Sequence, residues 1–242
     1  MRGTVNAALK WNEFFKPAAS VRVVEKPVPK GTVLWWRMNE AEPVKVVHDC
    51  SGNGLDGVIV GKPARSVAGI VDRAIVLRDC YVRLNDHSLL RMGTGSFTVE
   101  VWFASLCRAW IQLVGKRISN REIYRGIGWS LGIDRYSFKV RFTLEDVDGK
   151  CVSILSKRPL KLLTWHYVAA VRDRSARKVR IYVDGELAAE ADDTTGNIAG
   201  KFPLHVGYDR FAGGYLWGIV DEVRISNVAL SSEEIKRRYH AQ

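Results

Sequence analysis

The sequence predicts an all-β protein. From Gly31 onward, short apolar runs rich in Val, Ile, Phe and Trp recur, separated by clusters of Gly, Asp, Asn and Pro. One run, Phe97 to Phe103, alternates at the two-residue period of a strand and places Phe97, Val99, Val101 and Phe103 on one face. Only one segment near the C-terminus reads as helical.

Along the chain, residues 1–30 differ from the rest and are expected to form an N-terminal arm or extension to a single domain over 31–242. They hold Trp11, Phe14 and Phe15 and a Pro-spaced stretch from Pro17 to Pro29. Six basic residues against two acidic ones give this segment a charge of +4. Trp165–Val171 and Val179–Val183 predict two strands joined around a basic turn, Arg172–Lys178, and Asp184-Gly185 supplies the next tight turn. Glu145 to Asp148, ahead of Gly149-Lys150, reads as another hairpin turn. Ser231, three residues before Glu234, marks a capping box, and the Lys236-Arg237-Arg238 run suits a helix C-terminus. That helix is expected to cover a sheet end.

Composition narrows the functional classes. Lys and Arg total 37 against 26 Asp and Glu, a net charge of +11 that favours acidic partners. The densest basic cluster is Arg172, Arg174, Arg177, Lys178 and Arg180, and in sequence only Asp173 offsets it. No aromatic-interleaved RNA motif accompanies it, so nucleic acid is not an expected partner. No apolar run approaches the roughly 20 residues of a membrane-spanning helix, so membrane insertion is not expected. The four cysteines form no C-x-x-C pair and no disulfide framework, so reduced thiols are expected. Met1 to Asn6 lacks the apolar core and cleavage site of a signal peptide, which predicts cytoplasmic synthesis.

A set of landmarks in fixed order resembles the laminin-G-like branch of the concanavalin A-like lectin/glucanase superfamily. They run from Val33-Leu34-Trp35-Trp36 through the turn at Asp49 to Gly57, Ser96 to Trp102, Leu113 to Lys116 and Trp165 to Ala169. Ile181 to Gly185, Leu204 to Gly207, Gly218 to Ile225 and Leu230 to Ile235 complete the series. The resemblance implies a two-sheet antiparallel jelly-roll sandwich. It also implies one structural calcium ion, with Asp221 as a ligand and much of the remaining shell from main-chain carbonyls. Asp49 and Asp72 are weaker candidates.

Glucanases of the superfamily carry paired carboxylates on one strand, spaced for hydrolysis. Nothing here matches: Glu186 and Glu190 have no Asp between them, and Glu100 shares its strand with no second acid. No G-x-S-x-G, P-loop or H-E-x-x-H occurs, so no catalytic residues and no enzyme activity are expected. For ligand binding, the Gly-rich stretch Tyr208 to Trp217 offers Tyr208, Asp209, Arg210, Tyr215 and Trp217. Trp110, Tyr124 and Trp129, near Arg121 and Arg125, form a second candidate. The interface candidates are Trp11, Phe14, Phe15, Arg172, Arg174, Arg177 and Lys178. Together these predict a non-catalytic recognition or assembly protein, foremost a subunit docked on other protein subunits in a larger particle such as a virion. The alternative is a lectin-like module that binds glycan.

Overall fold

A computed structural model describes residues 27–108, 111–120, 125–209 and 213–241. Trp11, Phe14 and Phe15 lie outside the described residues. So do Trp110, Arg121, Tyr124 and Arg210.

Two large antiparallel sheets face each other across one core, as the resemblance implies. At the centre of the first sheet are β7 (Phe97–Ser105) and β18 (Gly218–Ser226). On one side β7 meets β12 (Trp165–Asp173), then β13 (Lys178–Val183) and β14 (Glu186–Asp192). On the other, β18 meets β5 (Arg73–Leu77), which pairs with β4 (Arg65–Ala68), while β1 (Thr32–Trp36) also pairs with β18. The second sheet runs β11 (Cys151–Leu155), β10 (Val140–Glu145), β9 (Arg125–Ile133) and β8 (Ile111–Asn120). It continues through β15 (Leu204–Val206), β6 (Cys80–Leu84), β3 (Gly57–Gly61) and β2 (Val46–Val47).

The period-2 pattern explains the layers. Phe97, Val99, Val101 and Phe103 enter the core, as expected, with Val168, Ala170, Val179 and Ile181 beside them. The second sheet contributes Val82, Val114, Trp129, Leu131, Phe142, Leu204 and Val206. Intervening residues of the first sheet, Trp102, Tyr167, Ala169, Val171 and Tyr182, form a separate apolar layer on its outer face. Helix α1 (Ser232–His240) covers that layer with Ile235 and Tyr239. Tyr239 stacks on Trp102 with ring centroids 5.5 Å apart. The helix therefore lies on a sheet face, not at a sheet end, because Trp102 and Tyr167 on that face need covering.

The predicted turns form for the expected reasons. Asp184 and Gly185 both have positive φ, 51° and 82°, the geometry of a primed two-residue hairpin turn. The capping box is complete: Ser231 Oγ accepts from Glu234 N at 3.2 Å, and Glu234 Oε2 accepts from Ser231 N at 2.9 Å. All four cysteines are free thiols.

Candidate functional site

On the second sheet, alternation sends Val82 of β6 into the core and leaves Tyr81 and Arg83 on the outer face. Register sets their neighbours: Val60 and Val58 of β3 oppose Tyr81 and Arg83, and His205 of β15 opposes Arg83. After β15 the chain reverses at Gly207, whose φ is +80° and where a Cβ would stand 2.5 Å from Leu77 Cδ1. The reversal starts a short hairpin, β16 (Tyr208–Asp209) paired with β17 (Gly214–Tyr215). Gln112 Nε2 donates to Tyr208 O at 3.1 Å and ties that hairpin to β8.

These strands assemble an aromatic platform. The Tyr208 ring stacks on Tyr81 at 4.4 Å and 18°, and Tyr215 leans on Tyr208 at 5.2 Å. His205 meets both Tyr81 and Tyr208 edge-on, at 5.4 and 5.8 Å. Contacts of this kind are worth about 0.5–1.5 kcal/mol each beyond buried area, so the rings hold one another in place. Tyr81, Arg83, Pro203, His205 and Tyr208 line a cleft of about 220 Å³. Arg83 also borders a second cleft of about 270 Å³, walled by Asp56, Val58, Val60, Leu84 and Asn85. Aromatic faces beside a guanidinium and an imidazole suit a ligand with both apolar faces and hydroxyl groups.

Of the Tyr208–Trp217 candidates, Tyr208 and Tyr215 belong to this platform. Trp217 is 41% exposed, with the Arg78 guanidinium 5.2 Å from its ring. Asp209 is largely buried, at 8% exposed, as is His205 at 5%, but of the two only His205 lines the cleft. Trp129 of the second candidate group packs in the core against Phe97, at 5.5 Å, so it is corrected from a ligand platform to a core residue. Arg125 opens β9. The sequence reading missed Tyr81, Arg83 and His205 as partners, although the Tyr81-Val82-Arg83 alternation already puts two of them on one face.

The basic cluster needs a similar correction. Arg172 is fully buried: its Nε donates to Asp193 Oδ2 at 2.8 Å, and its Nη atoms donate to the carbonyls of Gly93 and Gly196. No partner can reach it. Arg174 bonds Asp193, Lys178 pairs with Asp192, and Arg180 pairs with Asp173 and Glu190. Strand β14, some fifteen residues further on, thus supplies Glu190 and Asp192, and Asp193 follows directly after it. Arg177 sits at the turn with φ 52°.

The acids sort into structural roles. Glu100 accepts from the Tyr167 hydroxyl at 2.6 Å and pairs with Arg238. Glu145 pairs with Arg117, and Asp146 accepts from the backbone N–H groups of Asp148, Lys150 and Gly196. Asp49 accepts from Trp35, Ser51 and Leu55 backbone N–H groups. Asp221 is different. A bulge in β18, with Glu222 at φ 49°, directs successive acids into a buried region. Asp221 Oδ2 accepts from Ile70 N and Val71 N, at 2.8 and 3.1 Å, while Oδ1 is buried without a partner. Burial, then the charge of Glu222, pushes the Asp221 carboxyl well above the usual carboxylate range. For a calcium ion the residues present supply this one unpartnered carboxylate oxygen. No group of three or more His, Cys, Asp or Glu side chains placed to hold a metal occurs among the described residues.

Solved structures resemble this fold at low sequence identity. The binding domain of Paraclostridial Mosquitocidal Protein 1 matches with TM-score 0.68 and 14% identity, over 87% of this chain and 52% of that one. The botulinum neurotoxin serotype G binding domain matches with TM-score 0.68 and 15% identity, over 87% and 51%. The chain thus spans about half the length of these toxin domains. Domain 4 of AbnA, an extracellular arabinanase from Geobacillus stearothermophilus solved in complex with arabinotriose, matches with TM-score 0.64 and 15% identity, over 85% and 97%. Comparison with curated protein sequences gives no match. A laminin-G-like family model, described as the concanavalin A-like lectin/glucanases superfamily, matches residues 78–236. On that match the chain belongs to the concanavalin A-like lectin/glucanases superfamily.

Proposed function

We propose that this protein is a non-catalytic recognition module that binds carbohydrate on the Tyr81–Tyr208–Tyr215 platform. The observation that carries this reading is the stacked Tyr81–Tyr208 pair beside Arg83 and His205 at the mouth of a cleft. A sugar ring would lay its C–H face on a tyrosine and direct its hydroxyls to the guanidinium and imidazole. The engagement of Glu100, Glu145 and Asp146 in internal bonds supports a binding role over hydrolysis. The arabinotriose complex of the similar arabinanase domain supports a saccharide as the ligand class. Titration calorimetry with a panel of oligosaccharides tests it. Tyr208→Ala should weaken binding about tenfold or more while the chain keeps a cooperative melt at a lower temperature, since one stacked ring contributes about 1–3 kcal/mol. A panel without any heat of binding would end this reading.

The docked-subunit alternative draws on the aromatic-basic sequence of residues 1–30. A neurotoxin binding domain of similar fold was solved with a protein, rat synaptotagmin II, which supports protein partners for such a scaffold. Deleting residues 1–30 should abolish assembly and spare sugar binding if the arm does the docking. Light scattering of both chains decides it. A structural calcium ion at Asp221 completes the proposal, supported by the unpartnered Oδ1.

A further inference from the structure

A further concavity lies away from the aromatic platform. It is a cleft of about 510 Å³ between the segment Ser156–Lys161, which follows β11, and the start of β14. That volume is within the usual range for ligand sites. Its floor is apolar: Leu160, Val183 and Ala188 line it, together with Leu187, which is 47% exposed. Its lip is cationic, with Lys157, Arg158 and Lys161 all exposed.

Those three cations differ from the Arg172–Arg180 cluster. Four members of the cluster, Arg172, Arg174, Lys178 and Arg180, are paired with Asp173, Glu190, Asp192 or Asp193, which leaves Arg177 at the turn. Lys157, Arg158 and Lys161 have no carboxylate within ion-pair distance among the described residues. The two acids that line the cleft are engaged. Asp184 accepts from Tyr167 N and bonds His166 Nδ1, and Glu186 pairs with Lys236 at 3.0 Å. His166 Nε2 in turn accepts from Lys161 N at 3.1 Å, so the base of the lip is held in place. Lys157 N donates to Ala188 O at 3.0 Å and fixes the far end of the lip against β14. The lip is thus a tethered row of uncompensated charge over an apolar floor.

We propose that this cleft binds an extended acidic peptide segment of a partner protein, with one apolar side chain seated on Leu160 and Leu187. Charge complementarity selects the acidic partner. The row from Lys157 to Lys161 spans up to about 14 Å of chain, which suits several carboxylates along an extended strand better than one compact anion. An apolar anchor between acidic residues matches the floor.

Fluorescence anisotropy of the full chain with labelled acetyl-Glu-Glu-Leu-Glu-Asp-amide, at low ionic strength, tests the inference. Saturable binding is expected, and its loss when every acid of the peptide is replaced by its amide. A chain carrying Lys157→Gln, Arg158→Gln and Lys161→Gln should bind about tenfold more weakly, roughly twofold for each exposed ion pair removed. Leu187→Asp provides a second, independent variant with the same expected direction. Tyr208→Ala should bind the peptide normally, which separates this site from the carbohydrate platform. Equal binding by the amide peptide, unaltered affinity in the two lip and floor variants, or no saturable binding would overturn the proposal. So would a uronate oligosaccharide captured by the same three cations with the peptide left unbound.

Discussion

Arg172 shows how far a charge can be from its apparent role. In sequence it is one of five basic residues near a turn; in the fold it continues the inward phase of Val168 and Ala170 along β12. Asp193 meets it there. Burial opposes ionisation of Asp193, but hydrogen bonds from Arg172, Thr195 and Arg174 prevail and hold its carboxyl below the usual range. Arg172→Met would leave that carboxylate buried and short of its partner, so urea unfolding should show a loss of about 3–5 kcal/mol. Two other acids add to the acid limb of stability. The Asp134 carboxyl is lowered to about 2, chiefly by the Ser137 backbone N–H. Asp173 also falls to about 2: burial raises it, yet bonds from Ser175, Ala176 and Arg180 outweigh that. Both are lowered relative to the unfolded chain, so their stabilisation is present above about pH 4 and disappears as pH falls toward 2. Each contributes about 2 kcal/mol at most, and with Asp134→Asn and Asp173→Asn the urea midpoint should fall less steeply over that window. At Asp221 the expected outcome is a rise in melting temperature when calcium is added to chelator-treated protein, abolished by Asp221→Asn. An unchanged melting curve would remove the ion from the account.

Among the elements, α1 separates what local chemistry does from what packing does. Its start was readable from Ser231 and Glu234, because a capping box involves only four consecutive residues. Its seat on Trp102 and Tyr167 was not, since those strands lie 65 or more residues earlier in the chain. The two contributions should differ in size. Ser231→Ala removes one cap and is expected to cost about 1 kcal/mol. Ile235→Ala opens a cavity in a fully buried contact and should cost about 2–4 kcal/mol. Equal losses in thermal unfolding would mean that the helix is held by its cap and not by its apolar face.

For the whole molecule, the decisive pairing joins its two ends. Strand β18 is bonded to β7, β5 and β1, so the first strand of the sandwich closes on the last. Leu34 and Trp36 of β1 are fully buried in the common core. The family match over 78–236 omits β1 to β5. An excised fragment of those residues would expose the bonding edge and inner face that these strands cover. We expect it to aggregate and to lack near-ultraviolet circular dichroism. A cooperative melt close to that of the full chain would contradict this.

What the sequence determined by itself was local: strand phase, glycine-bearing turns and the helix cap. Each of these depends on steric or hydrogen-bonding preferences within a few residues, so Phe97–Phe103 and Asp184-Gly185 could be read directly. What only the tertiary structure decided was company. Tyr81, His205 and Tyr208 meet because β6 and β15 are sheet neighbours although about 120 residues apart. The same non-consecutive order gives Arg172 its acid and leaves Lys157, Arg158 and Lys161 without one among the described residues. Composition counts charges, but their cancellation depends on distance in space, and that is settled only when strands remote in sequence pair.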